Sequence, residues 1–598
     1  MCGISGHIAF PRANLEAVRT MTAALAHRGP DGDGFYDGGA VALGHRRLAI
    51  IDLATGEQPI FNEDKTVAVV LNGEIYNYKE LREELRAHHK LETQSDTEVL
   101  VHLYEDLGDR MVEKLRGMFA FALWDAKQQR LLIARDRFGE KPLVYAERNG
   151  TLAFASELRA LVAAGFVDGA IDRDALSDYL ELLYIPAPRS IYAGAKKLPA
   201  GHLLIADAKG VRIQRYWQPP VPGTRKGQSD AVPELRAALE EAVRLQLRSD
   251  VPVAAMLSGG LDSASVVALM ARELSKPVRT FSVGFGMADD ELPFARAVAE
   301  RYKTEHQQIL ITDGVEELTR HAFAAYSEPF GDSSSVPTVA ICREVAKHSK
   351  VVLTGDGGDE LFAGYGKYRD VLKLPHVPFV ERAAELVEKL PQFPRRSTVR
   401  RGAAAIGARG AARARAMIEV FSPGEREALL GLSRTAELGP ELPSDADSAI
   451  AFDLQTYLPD DLLFKVDTAS MRASLESRSP MLDHHLAELA IPLPIGAKQD
   501  ATRGKRGLVA AMRDLLPPEI LDRPKRGFGS PVDAWLKGPL RGMVADLLSS
   551  PGARVRQWLS TEGLDATLER LNEGRGNAHQ VWALLAMESW AREFGSKA

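Results

Sequence analysis

The stretch VPVAAML (Val251 to Leu257), SGGLDS (Ser258 to Ser263) and SASVVALMARELSK sets an apolar strand, a glycine-rich loop and an apolar helix in immediate succession. Few folds accept that order, and it marks this part of the chain as α/β. Gly259 and Gly260 let backbone N–H groups approach a phosphate, and the following helix N-terminus adds roughly half a positive charge. A nucleotide is the expected ligand. No lysine stands at the Walker A position, so the loop is not of the usual kinase type. SGG alone would read as a plain turn; the strand before it and the helix after it argue otherwise.

A chain of 598 residues exceeds what one hydrophobic core organises. The break falls in RYWQPPVPGTRKGQSDAVPEL (Arg215 to Leu235), where Pro, Gly and polar residues accumulate before helical periodicity begins in VPELRAALEEAVRLQLRSD. We predict a first domain over 1–217, a linker over 218–230 and a second domain over 231–598. With 45% hydrophobic and 26% charged residues, disorder is not expected. A net charge of −6 leaves no basic footprint for nucleic acid, so small molecules are the expected partners. Cys2 and Cys342 stand alone, which argues against a disulfide framework and for a reducing compartment. No run of about 18 apolar residues and no export signal occurs, so the chain is predicted to be cytoplasmic and not membrane-bound.

The opening MCGISG places a cysteine directly after the initiator. Once Met1 is removed, Cys2 carries a thiol with a free pKa of about 8.5 and an α-amine of about 7.7–8.0 on one residue. The amine can take the thiol proton, giving a nucleophile without a separate histidine. An incidental or lipidated cysteine is the plain alternative. Three segments bear on the choice: GHRRLAIIDL (Gly44 to Leu53), predicted to end in a short apolar strand; VAVVLNGEIYNY (Val67 to Tyr78), a buried strand running into Asn-Gly-Glu; and TQSDTEVLVHLY (Thr93 to Tyr104), predicted as a helix capped near Ser95 or Asp96. An amide hydrolase needs charged groups to grip a zwitterion and amide donors for an oxyanion, and this set supplies both. Asn72 and the Gly73 N–H would hold the oxyanion, Arg47 the substrate carboxylate, and Glu74 and Asp96 its ammonium. Singly, each has a bland counterpart as a hairpin turn, a surface charge or a cap.

MCGI, HRGPDG (His27 to Gly32), GHRRLAIID, NGEIYN and SDTE, in that order, resemble the glutaminase domain of the class II glutamine amidotransferases. The resemblance implies an N-terminal-nucleophile hydrolase fold, two antiparallel sheets between helices, in which glutamine is cleaved through a thioester on Cys2 and ammonia is released. In the second half, SGGLDS resembles the loop of ATP-pyrophosphatase enzymes that leave AMP on a carboxylate, with VRTFSVGFG (Val278 to Gly286) and KVVLTGDGGDELFAGY (Lys350 to Tyr365) as companions. That resemblance implies ATP binding by Leu257, Ser258, Gly259, Gly260, Asp262, Ser263, Val283, Thr354 and Gly355, with Mg²⁺ on Asp262 and Asp359. Carboxylates beside a polyphosphate need such a cation; capping is their alternative role. It also places Lys505 on the acyl-adenylate phosphate and Asp356 near the attacking ammonia, where the family often has a glutamate. Arg523, Lys525 and Arg526 form a second basic group, for pyrophosphate or for packing. No CxxC or HExxH pattern occurs, which argues against zinc.

Both halves in one chain, with LESRSPMLD (Leu475 to Asp483), resemble the glutamine-hydrolysing asparagine synthetases. The family implies β-aspartyl-AMP formation, a largely apolar ammonia tunnel between the domains, and a largely helical C-terminal part; a homodimer is left open. One departure bears on substrate. Family members use Thr and Arg ahead of a proline to recognise aspartate, whereas YSEPFGDSSSVPTVAIC (Tyr326 to Cys342) has no Lys or Arg. Ser333 to Ser335 and Asp332 remain, with a cation needed from elsewhere, for which Arg478 is the candidate. Another carboxylate is therefore the runner-up acceptor, and a non-catalytic scaffold the remote one. PRRSTVRRGAAAIGARGAARARAMIEV (Pro394 to Val420) reads as solvated helix, and Cys342 as a buried small hydrophobe.

Overall fold

The computed structural model describes residues 2–595 except 226–230, 285–290, 312–313, 379, 381–382, 384–395, 433–441, 443, 524–529 and 575. The segment holding Lys525 and Arg526 lies outside the described residues.

The N-terminal part is a four-layer sandwich. One six-stranded sheet runs β10–β8–β9–β1–β3–β2 and the other β12–β11–β7–β6–β5–β4, every pairing antiparallel. The strands of the first are β1 (Gly3–Ile8), β2 (Gly32–Asp37), β3 (Val41–Arg47), β8 (Val144–Arg148), β9 (Thr151–Ala155) and β10 (Lys196–Lys197). Those of the second are β4 (Ile60–Phe61), β5 (Val67–Ile75), β6 (Gly117–Asp125), β7 (Arg130–Arg135), β11 (His202–Asp207) and β12 (Gly210–Arg215). Alternation explains the layering. Ala68 and Val70 of β5 join Ile4, Leu43 and Trp124 between the sheets, while Val69 and Leu71 turn outward under α2 (Tyr78–Leu85) and α3 (Glu98–Leu107). α1 (Leu15–Ala24) covers the other outer face.

Two local expectations are corrected. The strand near Gly44 is Val41–Arg47, ahead of the apolar run Leu48 to Leu53, because Gly44 must pass under α1, where a Cβ would meet Thr22 Oγ1 at 2.2 Å. Asp96 does not cap α3, whose N-cap is Thr97; its Oδ2 accepts from the Ile75 N–H (2.8 Å) and so joins α3 to the end of β5.

The second part is built on a five-stranded parallel sheet, β15–β14–β13–β16–β17. Its strands are β13 (Val253–Met256), β14 (Arg279–Gly284), β15 (Glu305–Leu310), β16 (Val351–Leu353) and β17 (Glu476–Arg478), and helices form most of the rest. The chain steps outward from β13 through β14 to β15 and then returns to place β16 on the other side of β13. This reversal opens a crevice at the carboxyl ends of β13 and β16, the usual ligand position in such sheets. SGGLDS leaves β13 there and TGDGGDE leaves β16.

Within the Arg/Ala-rich segment, helix Gly410–Ile418 turns two of its arginines inward instead of to solvent. Arg413 and Arg415 in helix Gly410–Ile418 are buried, Arg413 donating to the Val371, Leu374 and Ala408 carbonyls and Arg415 pairing with Glu181 of the N-terminal part. Small Ala neighbours let the helix sit close while each guanidinium reaches inward to acceptors. Cys342 is buried in helix Ser335–Val345, as expected.

Candidate functional site

The front site assembles at the start of β1 and the end of β5. Cys2 is 7% exposed, and its nitrogen lies 3.1 Å from Asn72 Oδ1. The same amide's Nδ2 is buried and makes no hydrogen bond among the described residues, so it is a donor held ready for an oxygen. Gly73 has φ +149°, and a Cβ there would meet the Met118 carbonyl oxygen at 2.1 Å; only glycine keeps β5 this close to β6. Burial pushes the Cys2 thiol up, so ionising it requires a base at hand. Arg47 ends β3, half-buried, with Nη2 donating to the Asp52 carbonyl (2.5 Å).

Glu74 and Asp96 are both buried. Burial, with Glu476 and Asp96 nearby, pushes the Glu74 carboxyl well up; burial likewise pushes Asp96 up to about 6. Only in its ionised form can the Asp96 carboxylate pair with an ammonium. Glutamine-dependent kcat/KM is therefore expected to climb as pH rises through about 6, checked on the glutaminase reaction alone. The sign for stability is opposite. Between the ordinary 3.8 and about 6 the folded chain keeps a proton that the unfolded chain has lost, so this group favours folding most below 3.8 and has withdrawn that support once pH passes 6.

Arg478 does not reach the acceptor pocket. It is fully buried in β17, donating to Glu476 Oε1 (2.6 Å) and to the Gln246 and Arg248 carbonyls, with Nη2 3.5 Å from Glu74. It thus braces the front site from below.

The rear site occupies the crevice. Gly259 adopts φ +75°, and a Cβ there would meet the Ala295 nitrogen at 2.6 Å. Ser258 and Ser263 close the loop through their hydroxyls (3.0 Å), and Gly260 is the N-cap of helix Leu261–Glu273. Leu257 donates its N–H to Phe281 of β14 (2.8 Å), two residues before Val283. Arg523 donates to the Gly259 carbonyl (3.0 Å), so one of the three expected basic residues reaches the loop. From β16, Gly355 and Gly358 pass over Asp262 so tightly that a Cβ on either would approach it within 2.7 Å. Lys505, left-handed at the start of helix Arg506–Met512, pairs through Nζ with both Asp262 and Asp359 (2.7 Å to the latter). Burial opposes its charge, but the two carboxylates outweigh that and raise its pKa. Two hard oxygen donors converging on one cation fit Mg²⁺.

Thr354 donates through Oγ1 to Asp356 Oδ2 (2.7 Å), and burial raises the Asp356 carboxyl. A pocket beside Asp356 is lined by Glu140, Lys141, Asp467, Ser477 and Ser479 as well as Leu463 and Val466. Ion pairs join the two parts of the chain beside it. Arg28 donates to the Cys2 carbonyl (3.0 Å) and pairs with Asp467 (2.8 Å), which also holds Lys141 (3.2 Å); Arg116 grips Asp483 (2.6 and 2.9 Å).

Beside YSEPFGDSSS the structure places a lysine, Lys465 of helix Leu463–Arg472. Its Nζ lies 2.6 Å from Asp332 and 2.8 Å from Ser334 Oγ, and Lys465 holds Asp332 down to about 2 against the effect of burial. One lysine in an apolar helical pattern gave no sequence signal of this pairing.

Fold and site together define an enzyme with two active centres, an N-terminal-nucleophile amide hydrolase and a nucleotide-activating ligase. The chain belongs to the asparagine synthase family, whose model matches residues 234–592, while the glutamine amidotransferase domain matches residues 1–217. It is 32% identical to asparagine synthetase [glutamine-hydrolyzing] 1 of Bacillus subtilis, covering 99% of this chain and 96% of that one. It is 34% identical to a putative asparagine synthetase [glutamine-hydrolyzing] of Mycobacterium bovis (99% and 97% covered) and 28% identical to amidase chry2 of Gibberella zeae (92% of each).

Proposed function

We propose that the chain is a glutamine-dependent asparagine synthetase, converting glutamine, aspartate and ATP to glutamate, asparagine, AMP and pyrophosphate. The observation that carries this is the pairing of an unengaged Asn72 Nδ2 beside Cys2 with the Lys505–Asp262–Asp359 cluster at the crevice, in one chain. The domains are taken as 1–217 and 231–598 with 218–230 between. The enzyme is taken to act in the cytoplasm on small molecules, with a homodimer as the assembly to test by size.

After Met1 is removed, the Cys2 amine takes the thiol proton, and the sulfur attacks the glutamine amide. Asn72 Nδ2 and the Gly73 N–H receive the oxyanion, while Arg47, Glu74 and Asp96 hold the two ends of the amino acid. Ammonia leaves, and water cleaves the thioester. In the rear crevice, Leu257, Ser258, Gly259, Gly260, Asp262, Ser263, Val283, Thr354 and Gly355 bind ATP, and Lys505 faces the α-phosphate as the acid's carboxylate displaces pyrophosphate. Asp262 and Asp359 would hold Mg²⁺, which when bound neutralises the departing pyrophosphate. Ammonia then attacks the activated carbonyl, Asp356 takes a proton from the attacking nitrogen, and the bond to AMP breaks as the amide forms.

Lys465 with Ser334 supplies the grip on the acceptor's own carboxylate. Replacing it, Lys465→Met, is expected to raise the acceptor KM by about 10²-fold, the loss of a charge-assisted contact of about 2–3 kcal/mol, with glutamine KM unchanged. The acceptor itself is tested by measuring pyrophosphate release with ATP and glutamine across a panel of carboxylic acids. Aspartate should give the highest kcat/KM; turnover with another acid and none with aspartate would replace the substrate and keep the chemistry.

A further inference from the structure

On the outer side of the N-terminal sandwich, away from both centres, four side chains from three segments point at one another. Glu63 follows β4, His89 follows α2, and His102 and Glu105 share one face of α3. Their ligand atoms all lie within 4.8 Å. His89 Nδ1 is 3.4 Å from Glu63 and 3.7 Å from Glu105, and His102 Nδ1 is 3.5 Å from Glu63 and 3.3 Å from Glu105.

These distances are long for hydrogen bonds, which run about 2.7–3.2 Å. Three of them, at 3.3–3.5 Å, lie near the spacing of about 3.3–3.4 Å that bonds of about 2.0–2.1 Å to a central Zn²⁺ set between neighbouring ligand atoms, with the two imidazoles meeting different oxygens of Glu63. The surroundings suit ligands too. His89 Nε2 faces Asp106 Oδ1 (3.2 Å), which fixes the ring with Nδ1 inward; Asn62 donates to the other oxygen of Glu105 (2.7 Å), and the Lys90 N–H to Glu63 (3.0 Å). His102 is only 1% exposed, its Nδ1 turned into the cluster and its Nε2 without a hydrogen bond among the described residues, and the two imidazoles stand 4.6 Å apart. One buried and one half-buried imidazole, each turning Nδ1 toward the same two carboxylate side chains, form a donor set for a cation.

We propose that Glu63, His89, His102 and Glu105 form a structural zinc site. Two imidazole nitrogens and two carboxylates select Zn²⁺ over Mg²⁺, which prefers six oxygens. Zinc motifs give no hint of it because the ligands are spread over three segments. The site ties β4 and α3 to the connection Arg86–Thr97, which carries Asp96, so its ion braces the glutamine end of the front centre.

The test uses the full chain stripped with chelator, then titrated with Zn²⁺ or Co²⁺. One ion per chain, the intense visible bands of four-coordinate Co²⁺, and a rise in melting temperature with Zn²⁺ are expected. His89→Ala and Glu105→Gln should each weaken Co²⁺ binding at least tenfold, while circular dichroism shows the variants folded and Asp262→Asn leaves the bands unchanged. Absence of one-to-one binding, six-coordinate Co²⁺ spectra, or affinity untouched in both folded variants overturns the site.

Discussion

Cys2→Ala is expected to abolish asparagine formation from glutamine while leaving formation from added ammonium within about twofold of the native rate. The sulfur is the only atom that can form the thioester, and loss of such a nucleophile removes at least about 10³-fold in rate, about 4 kcal/mol of barrier. The geometry makes the split sharp. Cys2 enters the interface through its main-chain carbonyl, held by Arg28, and alanine keeps that carbonyl. Glutamate and pyrophosphate are measured side by side with each nitrogen donor. Equal loss with both donors would mean that Cys2 supports the fold and is not the nucleophile.

The second large effect runs the other way. Lys505→Met is expected to stop pyrophosphate release with either donor, by about 10³-fold, while glutamine hydrolysis persists. Methionine fills the space but removes the ammonium that contacts both Asp262 and Asp359. Breaking a buried pair by removing one partner typically costs about 3–5 kcal/mol, so a lower melting temperature should accompany the loss and be partly restored by MgATP. Retained pyrophosphate release would show that Lys505 serves packing alone.

Much of both centres was legible from local pattern. Glycines at 259, 260 and 355 sit where backbone must approach a neighbour, and Asn72-Gly73-Glu74 ends a strand whose burial is visible in VAVVL. What escaped depends on contacts between segments far apart in the chain. Lys465 meets Asp332 across 133 positions, and Arg28 meets Asp467 across 439. Nothing near Lys465 announces such a pairing. Asp96 shows the converse error: SDTE has the letters of a helix start, but the orphan N–H at the end of β5 competes for the carboxylate and wins. The Arg478 side chain is likewise taken up, by Glu476 Oε1 and by the distant Gln246 and Arg248 carbonyls.

The Arg28 guanidinium bears on how this enzyme could be rebuilt. It touches the nucleophile's own carbonyl on one side and an aspartate of the rear domain on the other, so the boundary between the domains passes through the wall of an active centre. A chimera that grafts another enzyme's front half onto this rear half inherits Asp467 and Asp483 without their arginines unless the donor carries matching ones. Compatibility of the four residues Arg28, Arg116, Asp467 and Asp483, more than the choice of cut point in the linker, decides which exchanges yield a working catalyst.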